Sequence, residues 1–207
     1  MTEPRLTLYV DRHFHSPYAM SVFVALTEKG LPFTLSTVDL DAGQEKLAPY
    51  RDFALTARVP ALEHDGFVLS ESSAIVEYLD EQFPSPDYAP LLPAEPRQRA
   101  RARQVQAWLR SDLAPLRAER DTRVVFVGPV DQPLSEDARA AAAKLIRVAD
   151  SLIDGPHLFG AWCIADTDLA LMLQRLIRNG DPVPAKLQTY AANQWQRDAV
   201  QQWLTPR

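Results

Sequence analysis

Arg58-Val-Pro-Ala-Leu-Glu-His-Asp-Gly-Phe-Val-Leu-Ser-Glu-Ser-Ser-Ala-Ile-Val-Glu-Tyr-Leu79 holds two short apolar runs, a turn and a helix start. Ala61-Leu62 and Phe67-Val-Leu69 flank His64-Asp-Gly66, which predicts a hairpin. Glu71-Ser-Ser-Ala-Ile-Val-Glu-Tyr-Leu79 then predicts a helix with Ile75, Tyr78 and Leu79 on one side. Upstream, Leu6-Thr-Leu-Tyr-Val10 alternates as a strand does, and the loop Asp11-Arg-His-Phe-His15 leads to Ser16-Pro17. Serine is a preferred N-cap and proline a preferred first helical residue, so a helix begins there. Its apolar positions Ala19, Val22, Phe23 and Leu26 share a face, and Gly30 ends it. Phe33 to Leu40 reads as a second strand, parallel to the first across a right-handed crossover. A polar, helical or irregular segment separates it from the hairpin. The order is therefore β-α-β followed by β-β-α.

Downstream, prolines at 84, 86, 90, 93 and 96 make residues 85–96 a stiff linker. Beyond it the pattern is helical throughout. Val105, Leu109, Leu113 and Leu116 mark one long helix whose last turn Pro115 should kink or end. Ala138, Ala142, Leu145, Ala149 and Leu152 mark another, starting near a Ser135 cap. Leu169, Met172, Leu173 and Leu176 mark a third, and Trp195, Ala199 and Leu204 a final one. The expected organisation is an α/β domain over residues 1–84, a linker over 85–96 and an all-α domain over 97–207.

Composition narrows the function. The 207 residues are 46% hydrophobic and 24% charged, the profile of an ordinary globular chain able to bury a core. A lone cysteine excludes an internal disulfide, a CxxC redox pair and a cysteine-rich zinc site, so no metal is expected and any thiol chemistry must use an external thiol. The net charge of −5 argues against nucleic-acid binding. Arg97, Arg99, Arg101 and Arg103, the one basic cluster, read as a solvated or domain-facing helix surface. Met1-Thr-Glu-Pro-Arg5 and the run after it lack the form of a secretory signal, and no apolar stretch approaches membrane-spanning length. A cytoplasmic location with no membrane partner is the expectation.

Individual motifs carry chemistry of their own. The Val59-Pro60 bond is a candidate for the cis form, with an ordinary trans proline at a strand start as the alternative. In Glu71-Ser72, the serine hydroxyl and the first helical amides suit a carboxylate, and the glutamate suits an ammonium. The plainer alternative is helix capping by Ser72 or Ser70, with Glu71 in the first turn. Arg58 taken alone is a solubilising charge.

In combination, Ser16-Pro17, Arg58-Val-Pro-Ala-Leu62, Glu71-Ser72 at a helix start and Ile164-Ala-Asp166 entering a later helix resemble the cytosolic glutathione S-transferases over nearly the whole chain. Trp108-Leu-Arg-Ser-Asp-Leu113 and Trp162-Cys-Ile-Ala-Asp-Thr-Asp-Leu169 resemble a serine-type bacterial branch that includes an Escherichia coli transferase of this length. The resemblance implies a thioredoxin-like N-terminal domain, an all-α C-terminal bundle and a homodimer with glutathione as co-substrate. It implies that Ser16 is catalytic, donating its hydroxyl to the glutathione sulfur. It further implies that the Val59 backbone holds the tripeptide, that Glu71 and Ser72 hold its γ-glutamyl end, and that Arg58 meets the glycyl carboxylate. Conjugation to small hydrophobic electrophiles follows, with hydroperoxide reduction as a second activity. Phe14, Tyr18 and Trp108 are pocket walls on this view. His13 and His15 read as loop histidines that the thiolate mechanism does not need, and Tyr9 is a rival hydroxyl lying well before the helix start.

Departures from the family pattern are equally specific. Cys163 stands where a capping Ser or Thr is usual, leaving Asp166 to carry the capping. Ala54-Leu-Thr-Ala57 stands where many relatives have Asn-Pro and Gly. Serine rather than cysteine before Pro17 precludes a mixed disulfide there. The alternatives are a non-catalytic transferase-like binding or scaffold protein and a glutathione-dependent isomerase. The Ser-rich loop with a following Cys and Arg that marks the isomerase branch is missing.

Overall fold

The computed structural model describes residues 5–205. The first four residues, on which part of the signal-peptide reading falls, and the last two lie outside the described residues. The chain divides into two compact units, one ending at Leu91 and the other beginning at Leu92.

The first unit runs β1 (Leu6–Asp11), α1 (Pro17–Glu28), β2 (Thr34–Val38), a 3-10 turn at Gln44–Lys46, α2 (Tyr50–Phe53), β3 (Ala61–His64), β4 (Phe67–Ser70) and α3 (Ser72–Gln82). Its sheet order is β2-β1-β3-β4, with β1 and β2 parallel and the other pairs antiparallel. This is the β-α-β, β-β-α order read from the sequence, in the thioredoxin-like α/β arrangement that the resemblance implied. Alternation along β1 sends Leu6, Leu8 and Val10 into the core, where α1 and α3 bring buried Ala19, Phe23, Ile75 and Leu79. Tyr9 points to the other face and packs with Phe53 on the cluster of Val38, Tyr50, Ala54 and Ala61.

Local signals account for the boundaries. The Ser16 hydroxyl oxygen accepts the Ala19 amide at 3.2 Å, and Pro17 opens α1. At its far end Gly30 has φ +65, with Gly30 donating to the Thr27 carbonyl and Leu31 to that of Leu26, the paired bonds of a Schellman ending. The hairpin turns through Asp65 and Gly66, both at positive φ.

The proline-rich segment is anchored by a contact that sequence patterning does not encode. The Lys29 ammonium, fully buried, donates to Asp80 Oδ1 at 3.2 Å and to the carbonyls of Phe83 and Ala89 at 2.8 and 2.9 Å. Asp80 Oδ1 also accepts the Leu91 amide at 2.8 Å.

The second unit comprises α4 (Pro96–Ser111), α5 (Ala114–Glu119), α6 (Thr122–Phe126), α7 (Glu136–Leu152), α8 (Ile164–Ile177), α9 (Ala185–Trp195) and α10 (Asp198–Leu204). Buried almost throughout, α8 touches α4, α6, α7 and α9 and forms the axis of the bundle. Arg97, Arg101 and Arg103 are exposed on α4, as a solvated helix face requires.

Two helix assignments are corrected. The long helix expected through Leu116 breaks at Asp112-Leu113, where Leu113 takes φ +61, and Pro115 sits in the first turn of α5. A proline there has no amide for the carbonyl four residues back and its ring would strike it, so the chain restarts. Trp195 and Leu204, expected on one helix, belong to α9 and α10 respectively.

Candidate functional site

Strand register brings the proposed site segments together. Tyr9 lies opposite Ala61, and Ala61 opposite Ser70. Adjacent strands are about 4.8 Å apart, so the end of β1, the start of β3 and the end of β4 emerge side by side at one edge of the sheet. From them come the loop to Ser16, the Arg58-Val59-Pro60 turn and the Glu71-Ser72 helix start. The backbone here is unusual: Phe14, Ala57 and Glu71 all take positive φ, at +57, +49 and +70. Non-glycine residues enter that region at an energetic cost, and such residues cluster where a fold holds a functional surface.

The first segment is organised by Asp11. Its buried carboxylate accepts the amides of His15 at 2.6 Å and Ser16 at 2.9 Å. Accepting from Ala19 occupies one lone pair of the half-buried Ser16 oxygen and leaves its O–H as a donor. That hydroxyl stands at the N-terminus of α1, where the helix dipole favours negative charge. Arg12 pairs with Asp39 and His13 with Asp41, each at 2.8 Å, and the His13 and His15 rings stack with centroids 5.6 Å apart. His13 is thus engaged as a loop histidine. The Tyr9 hydroxyl donates to Glu63 at 3.1 Å; burial, then that carboxylate, raises its pKa and disfavours the phenolate.

In the second segment the Val59-Pro60 bond is cis and Pro60 is buried. Arg58 is exposed, and its carbonyl accepts the hydroxyl of buried Tyr50 at 2.8 Å. Burial raises the Tyr50 pKa well above the usual phenol value, so this donor keeps its proton.

The third segment corrects the capping reading. Glu71, exposed, itself occupies the N-cap position of α3 and makes no side-chain cap bond, while Ser72 is the first helical residue and is buried. Glu71 takes φ +70 and ψ +111, outside the extended conformation usual for a capping residue. The first amides of α3 are left without a cap from it, an arrangement suited to an anion. Beside them, Ser70 Oγ is a buried atom with no hydrogen-bond partner among the described residues.

Asp11 and Tyr50 are the residues that the reading of the sequence missed. An aspartate at a strand end, four and five residues before the amides it accepts, is the available signal for the first. Nothing in the polar segment around Tyr50 marks the second.

The second unit contributes no assigned binding residue. Trp108 is half-buried on α4, its indole N–H donating to Asp112 at 3.0 Å. Cys163 is buried, and desolvation followed by the nearby Asp166 charge pushes its thiol pKa up, which disfavours the reactive thiolate. Asp166, fully buried, accepts the amides of Cys163 and Leu158 and the hydroxyl of Tyr190 at 2.9, 2.8 and 2.8 Å. It thereby supplies the carboxylate half of a capping box at the start of α8, in which the Cys163 side chain faces the Asp166 amide. Among the described residues no group of three or more His, Cys, Asp or Glu is placed to hold a metal ion, and no helix is long and apolar enough to cross a membrane.

Residues 15–82 match the model of the glutathione S-transferase N-terminal domain, and residues 95–206 that of the glutathione S-transferase C-terminal domain. The chain belongs to the glutathione S-transferase family. A glutathione transferase homologue from Burkholderia strain BGR1, solved with bound glutathione, is 50% identical, with a TM-score of 0.80 over 97% of this chain and 96% of that chain. Maleylacetoacetate isomerase of Dictyostelium discoideum is 31% identical over 182 residues, 84% of this chain and 80% of the relative. Human glutathione S-transferase theta-1 is 30% identical over 177 residues, 79% of this chain and 72% of the relative.

Proposed function

We propose that the protein is a serine-type glutathione transferase that ionises glutathione at Ser16 and conjugates it to small hydrophobic electrophiles. The observation that carries this reading is the 50% identity, over nearly the whole chain, with a homologue solved with bound glutathione. On this reading residues 1–84 form the glutathione-binding domain, 85–96 the linker and 97–207 the helical domain of a cytoplasmic homodimer. Arg58 meets the glycyl carboxylate, the Val59 backbone holds the extended peptide, and Glu71 with Ser72 and the α3 amides receives the amino-acid end.

Energetics support Ser16 as sufficient. A free thiol has a pKa near 8.5, and lowering it by about two units requires roughly 2.7 kcal/mol. A hydrogen bond to a charged group supplies about 1.5–3 kcal/mol and a helix N-terminus about 0.3–1 kcal/mol. The thiolate then displaces halide from an activated carbon or adds to an enone. With a hydroperoxide it takes the terminal oxygen, releasing alcohol, and a second glutathione reduces the sulfenic acid to disulfide and water.

A glutathione-dependent isomerase is the second reading, supported by the 31% identity with the Dictyostelium isomerase. Turnover of a model aryl halide, a hydroperoxide and a cis-enone diacid by wild type and Ser16→Ala, with glutathione consumption measured, tests both. Conjugation that falls in the variant supports the transferase. Isomerisation without glutathione loss would favour the isomerase, and binding without any turnover a scaffold.

A further inference from the structure

Three consecutive amides converge on one residue at the end of β1. The Asp11 carbonyl accepts the Phe14 amide at 3.0 Å, Oδ2 the His15 amide at 2.6 Å and Oδ1 the Ser16 amide at 2.9 Å. The residue is only 5% exposed, so these bonds stand in place of water. They close the loop against the positive φ of Phe14 and fix the backbone of the N-cap at φ −73, ψ +116. With that backbone fixed, the Ser16 oxygen reaches the Ala19 amide and its hydroxyl proton is restricted to the remaining directions.

We propose that Asp11 is a positioning residue for Ser16, holding its hydroxyl ready to donate to the glutathione sulfur. This rests on the reading of Ser16 as the thiolate donor. Both oxygens are needed, because an amide in their place would turn an N–H toward an N–H. The charge of Asp11 has the opposite influence: a carboxylate near a forming thiolate repels it. Of the other ionisable groups on the loop, Arg12 is paired with Asp39 and His13 with Asp41, and His15 stacks on His13. The sign of the change in thiol ionisation therefore separates positioning from charge.

The test uses the full chain as wild type, Ser16→Ala, Asp11→Asn and the double variant, with bound-glutathione thiolate followed by ultraviolet absorbance across pH and kcat and KM measured with an aryl halide. Asp11→Asn is expected to raise the thiol midpoint by about one pH unit and to lower kcat about tenfold near neutral pH, the loss of one such bond. KM for glutathione should stay within about twofold, and the double variant should be no slower than Ser16→Ala, because both act through one hydroxyl. A midpoint that is unchanged or lower in Asp11→Asn, or multiplying losses in the double variant, would overturn the proposal while Ser16→Ala still shows its defect. If Ser16→Ala itself ionises and turns over glutathione normally, the reading of Ser16 falls and the proposal with it. Asp11→Glu, which keeps both oxygens on a longer arm, serves if Asp11→Asn does not fold: the same upward shift supports the proposal and an unshifted midpoint overturns it.

Discussion

The hydroxyl of Tyr50 donates to the main-chain carbonyl of Arg58 at 2.8 Å, tying α2 to the turn that presents Val59 and Pro60. Tyr50 is itself held by Val38, Ala54 and Ala61 beneath it. The bond thus transmits the position of the sheet to an otherwise exposed loop. Tyr50→Phe keeps the packing and removes this one bond, worth about 1 kcal/mol. If the loop holds glutathione as proposed, KM for glutathione should rise about fivefold with kcat little changed, because ground-state and transition-state binding suffer alike. Steady-state kinetics at varied glutathione checks this, and an unchanged KM would remove the loop from the binding site.

Ala57, the residue before Arg58, has φ +49, and the Ala57 amide donates to the Ala54 carbonyl at 2.8 Å. An alanine in this left-handed conformation carries a steric penalty that glycine does not. Ala57→Gly should therefore stabilise the protein by about 1 kcal/mol, the relief of the strain exceeding the added flexibility of the unfolded chain, and raise Tm by roughly 2–4 °C. Calorimetry decides; a lower Tm would mean that the unfolded-state entropy wins.

Ser16-Pro17 and Ser135 announced their helices because a cap is written in side chains, and the Asp65-Gly66 turn was legible for the same reason. The α4–α5 break was legible only in Pro115, not in the apolar pattern. Val105, Leu109, Leu113 and Leu116 all remain buried across it, so apolar spacing continues through a change of helix. Glu71 and Ser72 stood out as types suited to the amino-acid end of a peptide, whereas Ser16, Arg58 and Val59 stood out through the resemblance to the family. Asp11, Lys29 and Tyr50 did not, because Asp11 and Tyr50 bond to main-chain groups and Lys29 to two carbonyls besides Asp80, and every sequence position offers such groups alike.

Lys29 shows what such hidden contacts contribute. Its buried ammonium has three acceptors, Asp80 and two carbonyls, one of them in the proline-rich segment. Lys29→Met would leave the Asp80 carboxylate buried without its counter-charge, and breaking a buried pair in this way typically loses about 3–5 kcal/mol. Denaturant unfolding should register that loss. Hydrogen exchange at the Leu91 amide, which donates to the same Asp80 oxygen, should accelerate. Normal exchange there would show that the segment is held by its prolines alone.

At the α4–α5 break, Asp112 accepts the Trp108 indole and the Leu113 amide and is paired with Lys144. The Lys144 contact first, then the Leu113 amide and the Trp108 indole, lower its pKa to about 2. A carboxyl lowered by folding contributes stability above its unfolded pKa, near 3.9, and loses it as pH falls through the folded value. Wild type should therefore exceed Asp112→Asn in Tm by a constant margin above about pH 5, a margin that shrinks below pH 4 and disappears only as pH falls below the folded value of about 2. Added salt should narrow the margin as well, because the Lys144 pair is partly exposed. Thermal melts of both proteins across this range provide the check. A margin that persists at the lowest pH would mean that the turn is held by the Trp108 and Leu113 hydrogen bonds irrespective of charge.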